Sequence, residues 1–287
     1  MSLSNLALDA FETIADAGTI LEASRQLGVS QTALTQRVKL LEMELNTSLF
    51  IRSRKGMKLT AAGERLLKYA RDRSRSEADA VKDISGNLER TLEINLAGPT
   101  FQLRRRLMAA LPKIKAKYES LQLKIHYDDS NDLTPLLRLG QADFILTSHL
   151  PAPSLDFKKL TESEFVLAIP YAWRNRRIED LLKNEAVIDF NEKDNFTIDF
   201  LKYHRLLPKS GLKRHFINNT FQMLEMVELG YGMAVFDSKD LELKVKAKTI
   251  YVFNQSKLKT QQKWFLCWNK LGHLKTIQSQ MIIDSFN

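Results

Sequence analysis

Four polar side chains near the amino terminus have the types and the spacing needed to recognise base pairs. Thr32, Thr35, Gln36 and Lys39 stand at positions i, i+3, i+4 and i+7, which places them on one side of a predicted helix. A glutamine amide can pair with adenine through two hydrogen bonds, and threonine offers a hydroxyl and a methyl group to the major groove. No acidic side chain interrupts this side, so the pattern predicts contact with DNA bases.

The opposite side of the same segment is apolar. Leu34, Val38, Leu41 and Leu45 fall within about 60° of each other on a helical wheel, so they predict a buried stripe. Ser30 precedes the helix and can cap it. The expected DNA-binding residues on and before this helix are Ser30, Gln31, Thr32, Thr35, Gln36, Arg37 and Lys39.

Two earlier helices would position that surface. Apolar residues at helical spacing predict a first helix that ends near Gly18. Residues 19–22 form a capping box that opens a second helix, whose Ala23 and Leu27 are expected to face inward. Gly28 supplies the turn into the third helix, with Val29 expected in the core. This order predicts a helix-turn-helix, although spacing alone leaves open a small helical bundle with a polar surface.

A basic hairpin follows. Apolar runs at 49–52 and 57–59 flank a turn that contains Gly56, and the hairpin would form a wing on which Arg52, Arg54 and Lys55 reach phosphate or the minor groove. Residues 52–75 carry nine basic side chains against Glu64 and Asp72. Such a band is the footprint of phosphate binding, with a solvated helix face as the alternative.

Thr60 is expected to cap a long helix that runs to about Leu88. Its apolar and small positions recur at steps of three and four, although Ser74 and Glu77 interrupt them. This imperfect heptad seam favours an antiparallel or splayed dimer over a long coiled coil. Packing of the seam against the chain's own domain is the alternative. The positions in question are Leu67, Ala70, Ser74, Glu77, Val81, Ile84 and Leu88.

Residues 23–64 resemble, without a gap, the winged helix-turn-helix of the LysR-type transcriptional regulators. Two positions depart mildly from the family pattern. Asn46 stands where the family usually has glycine, at a left-handed position that asparagine tolerates, and Thr35 replaces serine but keeps the hydroxyl. The resemblance implies a promoter dyad as the DNA partner, dimers that pair into tetramers, and control by a small-molecule effector.

The remainder alternates strands and helices, which predicts an α/β fold with a parallel sheet. Strands are expected at 92–97, 121–127, 142–146, 165–169, 233–236 and 264–268. Helices are expected around Leu103 and Leu107, at 133–139, at 221–229 and from about His273. The resemblance implies a winged helix-turn-helix at 1–59, a linker helix at 60–89, and an effector-binding domain of the periplasmic-binding-protein type at 90–287. Subdomain I would comprise 90–164 and 266–287, and subdomain II 165–265.

The effector is expected between these subdomains, beyond the carboxyl ends of the strands. Thr100 matches a family position that often bonds the effector. Each polar residue expected to bind the effector could instead be a simple helix cap or loop residue. Asp128 and Asp129 could bind a cationic group, so the charge of the effector stays open. The expected effector-binding residues are Gly98, Pro99, Thr100, Phe101, Ser130, Thr147, Ser148, His149, Asn219 and Thr220.

Several classes of protein are disfavoured. Hydrophobic residues make up 44% and charged residues 27% of the 287 residues, as in globular proteins, and the net charge of +9 favours a polyanionic partner. The uncharged stretch at 94–103 is too short to span a bilayer, and the amino terminus lacks a signal-peptide pattern, so a cytoplasmic location is expected. Cys267 is the single cysteine of the sequence, which excludes an internal disulfide, and its side chain is expected to be buried. Asp143 is expected to cap a turn.

No nucleophile elbow, paired-histidine metal motif or phosphate loop is present, so we expect no enzyme activity, cofactor or metal. Two other functions remain open. The carboxyl-terminal part could be a ligand-binding module or a small-molecule enzyme. The whole chain could also be an architectural DNA binder without effector control.

Overall fold

The fold was derived from a computed structural model that describes residues 3–53, 56–84, 92–117, 121–129, 132–254, 257–270 and 276–286. The amino-terminal part contains three helices, a hairpin and a long helix. These elements are α1 (Asn5–Ala17), α2 (Ile20–Leu27), α3 (Gln31–Glu44), β1 (Phe50–Ser53), β2 (Gly56–Leu59) and α4 (Ala61–Ile84). The order confirms the predicted winged helix-turn-helix.

Local capping explains where these helices begin and end. Gly18 and Gly28 end α1 and α2 in the left-handed conformation, with φ of 70° and 65°. The Thr19 hydroxyl accepts a hydrogen bond from the backbone N–H of Glu22, and the Ser30 hydroxyl accepts one from that of Ala33. The predicted caps are therefore confirmed.

One apolar core joins the three short helices, the hairpin and the start of α4. Phe11, Ile14 and Leu34 are fully buried in it, together with Val38 and Leu41 from the predicted stripe. Val29 packs against this core as expected. The inward position expected for Leu27 is wrong, because its side chain is 36% exposed at the end of α2.

The seam predicted along α4 is not continuous. Leu67 and Ala70 are 2% and 1% exposed because they belong to the core of the winged helix-turn-helix, as the alternative interpretation held. Further along the helix, Val81 is 66% exposed, and Ser74 and Glu77 are exposed as well. The helix is described to Ile84, and Leu88 lies outside the described residues.

The rest of the chain contains nine further strands and seven further helices among the described residues. In chain order they are β3 (Leu92–Gly98), α5 (Thr100–Lys117), β4 (Leu121–Tyr127), α6 (Thr134–Arg138), β5 (Phe144–Thr147), β6 (Leu155–Pro170), α7 (Ile178–Asn184), β7 (Ala186–Asp189), α8 (Phe196–Tyr203), β8 (Lys213–Phe216), α9 (Thr220–Glu228), β9 (Ala234–Asp237), α10 (Glu242–Lys246), β10 (Ile250–Val252), β11 (Lys259–Asn269) and α11 (Thr276–Ser285).

The chain divides into two compact units. The first comprises Met1–Pro99, Arg106–Lys158 and Leu266–Asn287, and the second comprises Thr100–Arg105 and Lys159–Phe265. In the first unit β3 pairs in parallel with both β4 and β5, so the carboxyl ends of these strands meet at one edge. The predicted parallel sheet is confirmed for this unit.

The sheet of the second unit departs from the prediction. Here β9 and β10 both pair with β6 in antiparallel orientation, whereas β7 and β8 form a separate parallel pair. The strands expected at 165–169 and 264–268 are parts of the longer strands β6 and β11, which pass from one unit into the other along the chain. His273 lies outside the described residues, and α11 begins at Thr276.

The core of the second unit lies beneath β6 and β9. Val166, Ala168 and Ala234 from these strands pack with Val227 of α9 and with Ile250 of β10, all fully buried. No helix in the described ranges is long and apolar enough to cross a membrane.

Candidate functional site

Helix α3 presents the predicted base-recognition residues to solvent. Gln31, Thr32, Gln36 and Lys39 are exposed, and Thr35 and Arg37 are partly exposed. The Thr35 hydroxyl donates to the backbone oxygen of Gln31 at 2.8 Å, so this hydroxyl retains its lone pairs for an outside donor. The Ser30 hydroxyl is occupied as the cap of the helix.

A carboxylate fixes the hairpin on the end of α3. Glu42 Oε1 accepts hydrogen bonds from the backbone N–H groups of Leu49 at 2.7 Å and of Phe50 at 3.4 Å. Between them Asn46 adopts φ of 46°, the left-handed conformation expected from its place in the sequence. The chain therefore reverses after α3 and returns as β1 in a fixed position.

The wing is fixed on the turn between α1 and α2. The Met57 N–H donates to the Gly18 oxygen at 2.8 Å. A Cβ at Gly56, which has φ of 120°, would lie 2.6 Å from the same oxygen, so this position requires glycine. Arg52 pairs with Met57 across the hairpin and is exposed, whereas Arg54 and Lys55 lie outside the described residues.

The basic segment divides into two sets. Arg52, Lys58 and Arg65 are exposed. Three other arginines form ion pairs within the protein. Arg71 pairs with Glu12 and Asp16, Arg73 with Asp9 and Glu77, and Arg75 with Asp143.

Burial disfavours the charged form of the Glu12 carboxylate, and Arg71 offsets part of this effect. Burial raises the pKa of Glu12 above its ordinary value, and the charge of Arg71 acts in the opposite direction. The acidic partners of Arg71 lie on α1, more than fifty positions away along the chain. Local spacing therefore gave no signal that separates these arginines from the exposed set.

In the first unit, the expected effector residues that follow the strands lie at one edge of the sheet. Ala97 pairs with Ile145 and Gly98 with Tyr127, which brings the ends of β3, β4 and β5 together. The Thr147 hydroxyl accepts a hydrogen bond from the His149 N–H at 3.1 Å. The other residues at or just after this edge are Pro99 and Ser148, and Ser130 lies outside the described residues.

In the second unit, the expected residues mark the starts of two helices that contact each other. Thr100 is the first residue of α5, and the ring of Phe101 is 8% exposed with its centroid 4.5 Å from that of Phe221. Asn219 caps α9, because its side chain accepts from the Gln222 N–H at 3.1 Å. Thr220 begins that helix. Phe101 is therefore part of the core, and Asn219 has the capping role weighed above.

A polar network that sequence reasoning missed holds the first turn of α5. Arg105 donates to Asp237 Oδ2 at 2.7 Å and to Asp240 Oδ1 at 3.3 Å, and the Gln102 amide donates to Asp237 at 2.8 Å. Burial raises the pKa of Asp240 to about 6, whereas hydrogen bonds from Arg105 and neighbouring polar groups hold that of Asp237 below its usual value despite burial. The network fixes the backbone that carries Thr100.

A second carboxylate that sequence reasoning missed lies at the end of β7 and forms an ion pair with an arginine. Asp189 is 1% exposed and accepts from Arg214 Nε at 2.7 Å. Burial raises its pKa, and the hydrogen bonds from Arg214 and Thr197 act against that rise. The aspartate is the last residue of an apolar strand, but its arginine partner lies 25 positions further on, which the sequence did not reveal.

Two family models cover most of the chain. The model of a bacterial regulatory helix-turn-helix protein of the lysR family matches residues 6–64. The model of the LysR substrate binding domain matches residues 86–279. The chain belongs to the LysR family. The resemblance inferred from residues 23–64 is thereby confirmed, and the fold is a winged helix-turn-helix joined to a LysR substrate binding domain.

Known LysR-type proteins are similar to the chain over different spans. The uncharacterized regulator YusT of Bacillus subtilis is 34% identical over 141 residues, which are 48% of this chain and 43% of YusT. The chain spans about half the length of the curated relatives it matches.

Two solved structures share the fold over nearly the whole chain. ArgP from Mycobacterium tuberculosis has a TM-score of 0.78 at 20% identity, covering 99% of this chain and 96% of ArgP. LysG from Corynebacterium glutamicum, solved with bound effector Arg, has a TM-score of 0.73 at 18% identity, covering 98% and 97%.

Proposed function

We propose that this LysR-family chain is a sequence-specific DNA-binding transcriptional regulator whose promoter binding is modulated by a small-molecule effector. The observation that carries the proposal is the division of α3, which buries Leu34, Val38 and Leu41 and exposes amide and hydroxyl side chains on its other side. The exposed Arg52 on the neighbouring wing supplies positive charge for phosphate. The chain acts in the cytoplasm as a regulator and not as an enzyme.

The DNA partner is a promoter dyad bound by a dimer. Two copies of α3 would enter major grooves separated by roughly 34–36 Å or a multiple of it. The residues proposed to contact DNA are Ser30, Gln31, Thr32, Thr35, Gln36, Arg37, Lys39, Arg52, Arg54 and Lys55. Self-association to a dimer, and of dimers to a tetramer, follows from family membership.

The effector is a small metabolite bound by the substrate binding domain. Each unit supports this assignment by itself, because strand ends and helix starts present hydrogen-bonding groups to ligands. The first unit has the ends of β3 and β5 with Thr147 and His149, and the second unit has the start of α5 at Thr100. An effector can shift DNA binding only if it binds one arrangement of the protein more tightly than another. The relative LysG is known with bound effector Arg.

Selection from a pool of random duplexes tests the DNA-binding part. The full chain should enrich a dyad, and Gln36→Ala should lower its discrimination against single-base variants of that dyad by roughly 5- to 150-fold, equivalent to about 1–3 kcal/mol for a lost bidentate base contact. Gln261→Ala removes an exposed amide from β11 and serves as the matched control. Enrichment of no dyad, or unchanged discrimination by the Gln36 variant, contradicts the proposal and favours an architectural DNA binder.

A metabolite panel tests the effector part. One compound should raise the melting temperature of the full chain and change its affinity for the selected dyad, and Thr100→Val should weaken both effects. A compound that stabilises the chain without altering DNA binding would favour a ligand-binding module over a regulator.

A further inference from the structure

We propose that a cavity on the parallel sheet of the first unit binds a small carboxylic acid that also carries a hydroxyl or amino group. The cavity lies between strands β3 and β4 and helix α6, and we call it the sheet-face cavity. Its volume is about 370 Å³, which is within the range of small-molecule sites. None of its lining residues is among those expected to bind the effector at the strand ends. The proposal therefore adds a second ligand site and does not depend on the proposed regulatory function.

The floor of the sheet-face cavity comes from two paired strands. Asn95 pairs with Lys124, and Ala97 pairs with His126, in the parallel register of β3 and β4. Because alternate residues of a strand point to the same side, these four side chains share one face of the sheet. Asn95 precedes Gly98 by three residues, so the floor extends roughly 10 Å back from the edge where the expected effector residues lie.

Apolar groups and a few polar groups line the cavity together. Ala97 is 1% exposed, and Leu136 of α6 adds a second apolar side chain to the lining. Gln141, just after α6, is exposed and contributes an amide. Small-molecule sites typically combine an apolar lining with a small number of polar groups that fix the orientation of the ligand. The lining therefore fits a molecule with an apolar body and a polar end.

Two side chains of β4 can bind the carboxylate of such a ligand. Lys124 Nζ lies 2.9 Å from Glu93 Oε1, but the two side chains are 59% and 40% exposed, so the pair is weak. The ammonium has three N–H donors, so it can bind Glu93 and a ligand carboxylate together. His126 lies two residues further on the same face, and its imidazole donates a hydrogen bond even when it is neutral. The two donors are thus adjacent at the cavity.

Asn95 supplies the acceptor for the hydroxyl or amino group. Its side chain is 9% exposed, and its amide nitrogen donates to Asp143 Oδ2 at 3.0 Å. Its backbone N–H donates to the same oxygen at 2.8 Å, which fixes the residue in place. Because the amide nitrogen is already bound, the amide oxygen is the end that remains for a donor from the ligand. A carboxylic acid without a hydroxyl or amino group would leave this acceptor unpaired, at a cost in affinity.

Matched acids test the class of ligand. We would titrate the full chain by calorimetry with phenyllactate, phenylalanine and hydrocinnamate, which differ only in carrying a hydroxyl, an amino group or neither beside the carboxylate. Phenyllactate or phenylalanine should bind at least about fivefold more tightly than hydrocinnamate, and whichever binds better identifies a hydroxy acid or an amino acid. Hydroxyisocaproate, leucine and isocaproate repeat the comparison with an aliphatic body. Binding of none of the six acids, or equal affinities within both series, overturns the proposal.

Hydrogen exchange measured by mass spectrometry locates the ligand. The acid that binds most tightly should slow exchange in peptides that cover residues 122–127 and 134–141, because these segments line the sheet-face cavity. Slower exchange confined to residues 98–101 and 147–149 would place the acid at the strand ends. That result would overturn the sheet-face cavity as a site and would support the proposed effector site instead.

Exposed residues at the cavity allow variants that should still fold. Lys124→Gln should weaken binding of the acid by roughly tenfold, whereas Lys113→Gln, at an exposed position of α5 outside the lining, should leave it unchanged. Gln141→Glu should weaken binding and Gln141→Lys should strengthen it, because the two variants place opposite charges at one exposed position beside the carboxylate. Unchanged affinity in the Lys124 variant, or equal affinities in the two Gln141 variants, would overturn the proposal.

Discussion

Single replacements of Arg52 and Arg73 by alanine should affect the salt dependence of DNA binding differently, although both residues belong to the basic segment 52–75. Arg52 is exposed on the wing. The side chain of Arg73 is 18% exposed and lies 3.8 Å from Asp9 and 3.5 Å from Glu77. We expect Arg52→Ala to weaken the salt dependence of DNA binding and Arg73→Ala to leave it unchanged.

The size of the effect follows from counterion release. Each phosphate neutralised contributes about 0.9 to the slope of log affinity against log salt, so two copies of Arg52 in a dimer contribute about 1.8. Between 50 and 200 mM salt this difference amounts to a factor of about 12 in affinity. Arg73→Ala should instead lower the free energy of unfolding by at most about 1 kcal/mol, because its acidic partners are exposed and the pairs are partly screened.

Fluorescence anisotropy with the selected duplex at four salt concentrations measures both slopes. Thermal melts of the two variants report whether the head remains folded. The reasoning would be refuted by equal reductions of the slope in both variants, since Arg73 would then contact DNA despite its ion pairs. An unchanged slope for Arg52→Ala would equally remove the wing from the DNA interface.

Three further outcomes are expected. Gly63→Ala should lower the free energy of unfolding by about 1–3 kcal/mol, since its Cβ would overlap the Leu49 oxygen. A cost no larger than that of Ala61→Gly in denaturant titrations would contradict this. Asp240 has a pKa raised from 3.8 to about 6, so it binds its proton more tightly in the folded chain. The free energy of unfolding of the wild type should therefore fall relative to that of Asp240→Asn as the pH rises through this interval. The same stability difference between the two proteins at pH 4 and at pH 7 would refute this. Cys267, whose pKa burial raises to about 12, should react with a thiol reagent at pH 8 only in denaturant, and rapid labelling of the native chain would show the opposite.

The parts of the fold that the sequence predicted depend on neighbouring residues. The Thr19 and Ser30 hydroxyls accept hydrogen bonds from backbone N–H groups three positions ahead, and Asn46 occupies a left-handed turn, so each signal lies within a few residues of its effect. The apolar run at 165–169 was likewise visible as a strand. The first half of β6 was missed because it carries charged, exposed residues between single buried ones, a pattern that resembles a loop.

The contacts that the sequence did not predict join residues far apart. Arg75 and Asp143 are separated by 68 positions, and Gln102 and Asp237 by 135. Composition showed a surplus of positive charge in 52–75, but only the ion pairs of α4 with α1 and with Asp143 show which arginines are neutralised. For the same reason Asp143 was expected to be a turn cap, although its carboxylate is shared between a strand and the linker helix.

The close approach of Gly56 to the Gly18 oxygen limits which hairpins can be transplanted onto the amino-terminal helices. A hairpin transplanted from a paralogue with a larger residue at position 56 would collide with the turn before α2, and the grafted loop would tilt away from that turn. Chimeras that receive a new hairpin should therefore exchange residues 17–19 together with it.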